Sequence, residues 1–430
     1  MKISYENKLI KSLSLLVLIS PVFFLTVRHW TNLVVLFLFI CCLYLLAMNK
    51  RPDTDLSLSG ERAKLICAIF VAPLAAIAIS QLFRLDFYSN NWDAPLRLVL
   101  CIPIFLAIAN GSLRPFSSQN ISVHWLTLVL PLTLIWTLLF RINWPTRWGP
   151  VDLTTYFVDP LTFGSYSLLF SLLTLLGLSE YWSKLGFVQR CLCVLGILSG
   201  FYLSLKSGSR TGWFNLPVFF GIWAYFVLMP KLGFKKTILL MVVFISLLFV
   251  SLFINGYLLD KFIMGLKEIS NYKLNQVNAD TSVELRLSFY RMGITYFLER
   301  PLAGWGDLSW MAQRDLPELA QFASEFAREA PKHGFHNEII TKSVSSGIWG
   351  FIASISFFYV VILRAIQGVK LKNTGEHRII SLTLLVFISH LFIAGLTTEI
   401  TNLVFLSSFI GLTLAVLLGE QTYLEEKRQT

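Results

Sequence analysis

The sequence KHGFHNEIITKSVSSGIWG, residues 332–350, joins the end of a long polar segment to a strongly apolar one. The polar segment runs from about Ile254 to Ser346, and apolar runs lie on both sides of it. Two of the six histidines of the chain, His333 and His336, fall within this short stretch. The pattern predicts a large loop that is held at a membrane surface and carries the reactive groups of an integral membrane protein.

Composition assigns the chain to the membrane class. Of its 430 residues, 55% are apolar and 14% are charged, and the mean hydropathy is +0.65. Soluble domains carry about 25% charged residues. The net charge of +11 comes from basic residues scattered between apolar runs, which is typical of membrane topology and not of nucleic-acid binding. All six cysteines lie inside apolar runs, which argues against a disulfide framework or a zinc site.

Apolar runs of about 20 residues are long enough to span a bilayer as helices, and the chain contains about twelve of them. They lie near 10–27, 31–48, 64–83, 95–110, 122–140, 161–179, 190–206, 212–229, 237–255, 347–364, 379–397 and 402–419. Lys and Arg are concentrated in the short loops on the side of both termini, so both termini are expected to be cytoplasmic. We therefore expect an all-α membrane protein. Residues 1–255 form spans 1–9, residues 256–346 form a periplasmic catalytic loop, and residues 347–430 form spans 10–12 and a cytoplasmic tail.

Two helices are predicted within the large loop. A capping box, Thr281–Glu284, opens the first helix, and Pro301 ends it. Its predicted apolar stripe consists of Val283, Leu287, Tyr290, Ile294 and Phe297. Arg286 shares the face of Tyr290, whereas Arg291 lies about 140° around the axis. The second helix, Asp315–Ala330, is amphipathic, and it fits a membrane surface as well as it fits packing on the rest of the loop. Its apolar face consists of Leu319, Ala323, Phe326 and Ala327.

A turn of glycines, hydroxyls and cations between two spans is the first candidate binding site. Residues 206–212 read KSGSRTG and lie at the predicted outer face, where the next helix begins. Backbone N–H groups and the helix dipole favour an anion there. Lys206 and Arg210 add positive charge, and the arginine fork suits phosphate oxygens. A plain hairpin turn with interfacial cations fits the same residues equally well.

His336 is the candidate general base. A neutral imidazole accepts a proton from a hydroxyl near physiological pH, and Asn337 is a candidate to orient it. A structural histidine in a polar loop is the alternative, and the pattern of this stretch taken alone favours that alternative. Glu399, in a short outer loop, is a candidate partner for His336 or for a sugar, although an exposed loop carboxylate is slightly favoured. No metal site is expected, since Asp53 and Asp55 fit a solvated cytoplasmic loop.

In combination, these features resemble the bacterial O-antigen ligase and polymerase superfamily, and O-antigen ligases most closely. The resemblance is carried by Ser207-Gly208-Ser209-Arg210 after a span, Arg286 upstream of Pro301-x-x-Gly304-x-Gly306, and His336-Asn337 before a span that opens with Gly347 and Gly350. The large loop after the ninth predicted span also fits that family. Each motif is weak alone, but the ordered set on one membrane face is fairly specific.

The resemblance implies an inverting, metal-independent glycosyltransferase without a cofactor, in the inner membrane of a Gram-negative bacterium. It would move polysaccharide from undecaprenyl diphosphate to a sugar hydroxyl of lipid A–core at the periplasmic face. Lys206, Arg210 and Arg286 would bind the donor diphosphate, and His336 would activate the acceptor hydroxyl. Candidate supporting residues are Asn337, Arg291 and Glu399. The expected partners are the two lipid-linked substrates and membrane lipids, not nucleic acid.

Three alternatives remain open. An O-antigen polymerase of the same superfamily uses the same donor but extends the glycan, and a related ligase would glycosylate protein. A polysaccharide-lipid flippase or transporter, with the loop as a lid, belongs to a different class. Transport predicts charged residues buried in mid-span, and the predicted spans are nearly free of them.

Overall fold

The computed structural model describes residues 2–48, 60–113, 121–141, 158–207, 211–254, 282–307, 309–370 and 375–427, with the single positions 260, 263, 264 and 267. Within these ranges every regular element is a helix, so the predicted all-α fold is confirmed. Six residues used in the sequence analysis lie outside the described ranges: Asp53, Asp55, Gly208, Ser209, Arg210 and Thr281.

The helices fall into a bundle before the loop, the loop itself and a closing group. The first group is α1 (Lys2–Ile19), α2 (Trp30–Met48), α3 (Glu61–Arg84), α4 (Asp93–Leu100), α5 (Ile102–Ala109), α6 (Ile121–His124), α7 (Leu130–Arg141), α8 (Pro160–Tyr181), α9 (Phe187–Lys206), α10 (Asn215–Trp223), α11 (Met229–Leu232) and α12 (Phe234–Ile254). The loop holds α13 (Ser282–Glu299), α14 (Pro317–Ala320) and α15 (Glu325–Glu329). The closing helices are α16 (Glu338–Lys370), α17 (Glu376–Gly395) and α18 (Val404–Glu426).

Among the described residues, nine helical segments are long and apolar enough to cross a membrane, and they coincide with nine predicted spans. The predicted 95–110 span is not one helix, because the chain breaks at Cys101 between α4 and α5. Gly411 of α18 packs against Leu98 and Cys101, and Gly419 packs against Ile108. The broken segment therefore follows α18 along the bundle. The total of twelve spans stays a prediction.

The centre of the bundle is formed by α8, α17 and α18, which are the most completely enclosed spans. The Phe24 ring stacks on Phe409 of α18 at 4.1 Å, and Tyr166 of α8 lies edge-on to both. Lipid tails are as apolar as these side chains, so close packing and not hydrophobicity must hold the helices together. Accordingly, α9 approaches α7 and α8 through glycines, and a Cβ atom at Gly196 or Gly200 would overlap its neighbours.

The two ends of the bundle differ in chemistry. At one end, which we call the far end, the buried Glu425 pairs with Arg364 at 2.7 Å and with Arg62 at 3.1 Å. Arg378 pairs there with Glu180 at 2.9 Å. The opposite end, which we call the loop end, carries the C-termini of α3, α9 and α17 and the N-terminus of α16. The basic residues of the far end are those assigned to the cytoplasmic side by sequence, and this orientation stays a prediction.

The large loop has a small core of its own, which sits on the N-terminal part of α16. The aromatic residues Phe289, Tyr296, Trp305, Trp310 and Phe335 are buried in it together with Met292 and Leu319. Trp310 and Phe335 have ring centroids 5.4 Å apart. Such aromatic contacts, over a segment poor in aliphatic residues, account for a compact fold in this part of the chain.

Two details of the predicted loop helices are wrong. In α13 the buried stripe contains Phe289, Met292 and Tyr296, whereas Ile294 of the predicted stripe is 54% exposed. The larger aromatic residues decide which face is buried, because they remove more apolar area from water. The predicted helix Asp315–Ala330 is divided into α14 and α15, since Ser324 caps a new helix by accepting from the Ala327 N–H at 3.0 Å.

The face of this divided segment packs on the rest of the loop. Leu319, Ala323 and Ala327 are almost completely buried in the loop core, while Phe326 is 60% exposed. Of the two alternatives for this segment, packing on the loop is therefore the one observed. Phe326 alone among the predicted face residues is left outside that contact.

Candidate functional site

The site is built around the start of α16. Asn337 caps this helix, because its Oδ1 accepts from the Ile340 N–H at 3.1 Å. His336, directly before the cap, has a φ of 50°, in the left-handed region that costs a non-glycine residue about 1 kcal/mol. The neighbouring Phe335 is fully buried in the loop core, whereas the His336 side chain stays 40% exposed and lies against Phe289. Because of this backbone conformation, Phe335 is anchored in the loop core while the side chain of the next residue, His336, stays accessible.

Glu399 lies beside His336, and its side chain is only 9% exposed. The interpretation of this residue as an exposed loop carboxylate is therefore wrong. Its carboxylate accepts hydrogen bonds from the Thr341 hydroxyl, at 2.9 Å, and from the backbone N–H of His336. Its Oε2 is 4.0 Å from Nδ1 of His336, which is too long for a hydrogen bond but close enough for a strong charge interaction. Burial raises the pKa of Glu399, and the Thr341 hydrogen bond acts in the opposite direction.

Glu338 attaches the short loop between α17 and α18 to the start of α16. Its buried carboxylate accepts from the backbone N–H groups of Ile400, at 2.8 Å, and Thr401, at 3.2 Å, and from the Thr401 hydroxyl. A carboxylate with several donors in a buried position fixes the backbone around it. Glu399 is thereby held in place although its loop is short and lies at the surface of the bundle.

Asn337 and Tyr290 meet at one backbone carbonyl. The Tyr290 hydroxyl donates to the oxygen of Leu396 at 2.5 Å, and the Asn337 amide donates to the same oxygen at 3.4 Å. Burial raises the pKa of Tyr290, while its hydrogen bond with Asn337 and the charge of Arg286 oppose the rise. Arg286 is therefore close to Tyr290, on the face predicted for it. A cation, a phenol, an amide and the imidazole are thus gathered at the start of α16.

Arg291 lies elsewhere. Its guanidinium carbon sits 4.0 Å above the centre of the Phe322 ring, on the side of α13 that faces the loop core. A cation–π contact of this kind stabilises the packing of the loop. The prediction that Arg286 and Arg291 occupy different faces of one helix agrees with this geometry, and Arg291 is separated from the His336 group.

The turn after α9 contains the second group of candidate residues, of which Arg210 lies outside the described residues. Lys206, the last residue of α9, is exposed. After the turn, Asn215 is buried and its amide lies 3.1 Å from Nδ1 of His390, whose Nε2 lies 3.0 Å from the Ser165 hydroxyl. These contacts fix the residues just after the turn to α8 and α17. His390 is a functional candidate that the sequence reasoning missed, and its signal is a lone histidine in an apolar span.

The Pro301–Gly306 turn has a structural role that its sequence did not reveal. The N–H groups of Trp305 and Gly306 donate to the carbonyls of Val344 and Ser345, at 2.8 and 2.9 Å. Arg84, at the end of α3, donates from Nη1 to the carbonyls of Ala303, at 2.6 Å, and Ser345, at 3.2 Å. Hydrogen bonds from the turn and from Arg84 therefore hold the backbone in place at the point where α16 changes direction.

That change of direction occurs at Gly347, which has a φ of 64° and a ψ of −150°. The Ile348 N–H donates to the carbonyl of Pro301 at 2.7 Å, so the turn supplies a partner that the broken helix lacks. Residues 338–346 therefore form a short helix at the loop end, and the helix that crosses the bundle begins after Gly347.

Within the described residues, no group of three or more His, Cys, Asp or Glu side chains is arranged to hold a metal ion. The side chains gathered at the start of α16 are a base, a buried carboxylate, a phenol and an arginine. Such a set can accept a proton and stabilise negative charge.

The fold is that of a multi-span helical membrane protein, and ionisable and polar side chains gather in a large loop at one end of its bundle. Residues 194–355 match the family described as O-antigen ligase. This match supports the O-antigen ligase superfamily, whose members are membrane glycosyltransferase-like enzymes of the ligase and polymerase type. The matched segment contains Lys206, Arg286, His336 and Asn337 but ends before Glu399.

A protein of Haemophilus influenzae, described as uncharacterized, is 23% identical to this chain over 389 residues. The alignment covers 87% of this chain and 90% of the relative. The similarity therefore extends over the bundle as well as over the segment matched by the family.

Proposed function

We propose that the protein is an O-antigen ligase that transfers polysaccharide from undecaprenyl diphosphate to a sugar hydroxyl of lipid A–core at the periplasmic face of the inner membrane. The acceptor oxygen forms a bond to the anomeric carbon while the bond from that carbon to the diphosphate breaks. Attack from the face opposite the leaving group inverts the configuration. The hydroxyl proton passes to His336, and the diphosphate leaves without needing a proton or a metal ion.

The observation that carries the proposal is the conformation of His336. A histidine that only filled space in a polar loop would not need a left-handed backbone, which has to be maintained by the surrounding contacts. Here the Asn337 cap, the buried Phe335 and the hydrogen bond from the His336 N–H to Glu399 maintain it. Glu399 is in addition the negative charge that would stabilise the imidazolium formed after proton transfer.

The leaving diphosphate requires cations that act as its charge increases. Arg286 is the candidate whose surroundings are described, since its charge acts on Tyr290 at the start of α16. Lys206, the last residue of α9, lies at the same end of the bundle, and Arg210 follows it closely in the sequence. We infer that the three cations contact the diphosphate together, with the two arginines binding its oxygens bidentately.

The distribution of buried charge favours an enzyme over a transporter. Among the described spans, the buried ion pairs of Arg364 and Glu425 join helix ends at the far end of the bundle. A transport pathway would need ionisable groups near the middle of the spans, whereas His390, the histidine within α17, lies near the loop end of that helix. A polymerase of the same superfamily remains the second candidate, because it would use the same donor and the same base.

Deletion of the gene tests the proposed function and separates these candidates. For a ligase, polymer should accumulate on its lipid carrier and the core should remain uncapped at the cell surface. For a polymerase, single repeat units would still reach the core. Complementation with Arg286→Ala should fail while the protein accumulates normally in the membrane, and Arg286→Lys should rescue poorly, because the bidentate fork is lost.

Arg291→Ala is the matched control on the same helix. It removes an arginine whose guanidinium lies on Phe322, so it should reduce capping only through a modest loss of loop stability. Capping of the core at normal levels by the Arg286→Ala protein would contradict the diphosphate assignment. Polymer that is attached to core in the deletion strain would contradict the ligase assignment itself.

A further inference from the structure

A polar cavity of about 330 Å³ opens on the loop end of the bundle, next to the His336 group but separate from it. It is enclosed by the end of α3, the start of α4, the N-terminal part of α16 and the loop residues around Asp307. Neither His336 nor Arg286 lines it. A single water needs roughly 15 Å³ measured in this way, so the cavity has room for a phosphate group together with part of a sugar.

Cations outnumber carboxylates in the cavity wall. Arg84, Lys332 and Lys342 face two acidic residues, Asp93 and Asp307. Asp93 is neutralised by Arg97, which lies outside the wall, at 2.9 Å. Burial raises the pKa of Asp307, although Lys342 and Arg84 oppose that rise. Glu338, outside the wall, lies 4.0 Å from Lys342 and offsets part of its charge. With Arg97 and Glu338 both counted, the cations around the cavity still outnumber the carboxylates by one, and an anion would compensate that charge.

The cavity continues into an apolar groove between α3, α4 and α16. The groove shares Ile77, Pro95, Lys342, Ser346 and Thr401 with the polar cavity. It then follows α16 as far as Phe357 and Phe358, within the part of that helix that crosses the bundle. The groove holds only about 20 Å³, little more than one water, so the polar cavity is the part with room for a ligand, and the anionic head of an amphiphile fits it.

Thr341 connects this cavity to the candidate site. Its side chain lines the cavity, and its hydroxyl donates to Glu399 and accepts from the Phe335 N–H. A ligand in the cavity is therefore separated from Glu399 by a single side chain. Two ligands, one at the Arg286 side and one in this cavity, would approach the start of α16 from different directions.

We propose that the cavity lined by Arg84, Lys332 and Lys342 binds a lipid-borne phosphate, and that this phosphate belongs to the acceptor glycolipid and not to the donor diphosphate. The assignment to the acceptor rests on the proposed function, whereas the binding of a phosphorylated lipid does not. The cavity would hold the acceptor so that its sugar hydroxyl reaches His336 while the donor occupies the cations on the other side.

Lys332→Ala and Lys342→Gln are the variants that test the proposal. Lys332 is exposed and removable at little structural cost, and glutamine at 342 can keep a hydrogen bond to Asn402, which Lys342 now contacts at 2.7 Å. Arg314→Ala is the control, because it removes a loop cation that pairs with Asp315 and does not line the cavity. Binding is measured by native mass spectrometry of the detergent-solubilised protein, with lipid A–core before and after phosphatase treatment and with undecaprenyl diphosphate as probes.

Each cavity variant should weaken the binding of the phosphorylated lipid A–core about tenfold, the effect of one charge-assisted hydrogen bond. Binding of the dephosphorylated lipid and of undecaprenyl diphosphate should be unchanged, as should all binding by Arg314→Ala. In a transfer assay the KM for acceptor should rise and that for donor should not. A loss confined to undecaprenyl diphosphate would overturn the assignment to the acceptor, and equal binding by all variants would overturn the site. Selective binding without any transfer activity would refute the proposed function and leave the phosphate site standing.

Discussion

At the scale of single residues, the proposed site combines side chains that are far apart in sequence. The sequence singled out His336 because histidines are rare in the chain and because a helix start follows it. It could not place Glu399, since the contact of that carboxylate with Thr341 and with the His336 N–H depends on how α17 and α16 pack. Arg84 was missed for the same reason, because its partners lie in the loop.

The raised pKa of Glu399 predicts a pH-dependent stability. Its carboxyl is buried, so the neutral form is favoured in the folded protein relative to the unfolded one. The stabilisation by this group is therefore complete below the ordinary glutamate pKa of 4.5 and is lost as pH rises through the raised value. Glu399→Gln cannot ionise, so its unfolding temperature should fall less than that of the natural protein as the pH rises above 4.5.

Thermal unfolding in detergent over a series of pH values checks this prediction. Glu325→Gln is a suitable control, because Glu325 is an exposed carboxylate of the loop. Its unfolding temperature should follow that of the natural protein at every pH. Parallel curves for the natural protein and Glu399→Gln would show that the carboxyl does not titrate differently on folding.

At the scale of elements, the local sequence predicted where helices lie better than which face they bury. α13 has two possible apolar stripes, and the one that contains Phe289 and Met292 is buried because the aromatic residues of the loop complete it. The break in α16 was visible only as a glycine near the start of a span. Its geometry depends on the Pro301–Gly306 turn, which lies on the other side of the loop core.

Gly347→Ala tests the contact between the Pro301–Gly306 turn and the break in α16. The backbone there has a positive φ, and a Cβ atom would lie 2.6 Å from the Pro301 carbonyl oxygen. We expect a loss of about 1–2 kcal/mol from the backbone conformation, increased by the overlap, and a lower unfolding temperature. Gly221→Ala is the matched control, because that glycine lies within α10 with no atom nearby and should tolerate alanine without loss. Equal unfolding temperatures for the two variants would contradict the account of the break.

At the scale of the whole molecule, the bilayer made most of the fold predictable. Each span must satisfy its backbone hydrogen bonds internally, so length and hydropathy alone located nine helical segments that the structure contains. The segment 95–110 was the exception, since its break at Cys101 is accommodated by close packing along α18. The side of the membrane on which the loop lies follows from charge asymmetry and remains a prediction.

Single cysteines introduced at Ser270, Ser324 and Thr374 test that topology. With the loop outside, an impermeant thiol reagent added to intact cells should label the first two and not the third. Permeabilised cells should allow labelling at Thr374, which controls for its reactivity. Labelling only of the cysteine that replaces Thr374 in intact cells would show that the bundle has the opposite orientation. The site would then lie on the other side of the membrane from the face where both substrates are proposed to meet.

The most direct test of the central claim is transfer by the purified protein, with and without the His336 imidazole. The assay contains a lipid-diphosphate donor, lipid A–core and EDTA, and the key variant is His336→Asn, because asparagine tolerates the left-handed backbone. We predict metal-free transfer by the natural protein, with a rate that rises with pH as the imidazole becomes neutral. We predict a loss of about 10²–10⁴-fold in the variant, with donor binding retained, and a much smaller loss for His333→Ala. Full activity of His336→Asn, or a requirement for a divalent ion, would contradict the account.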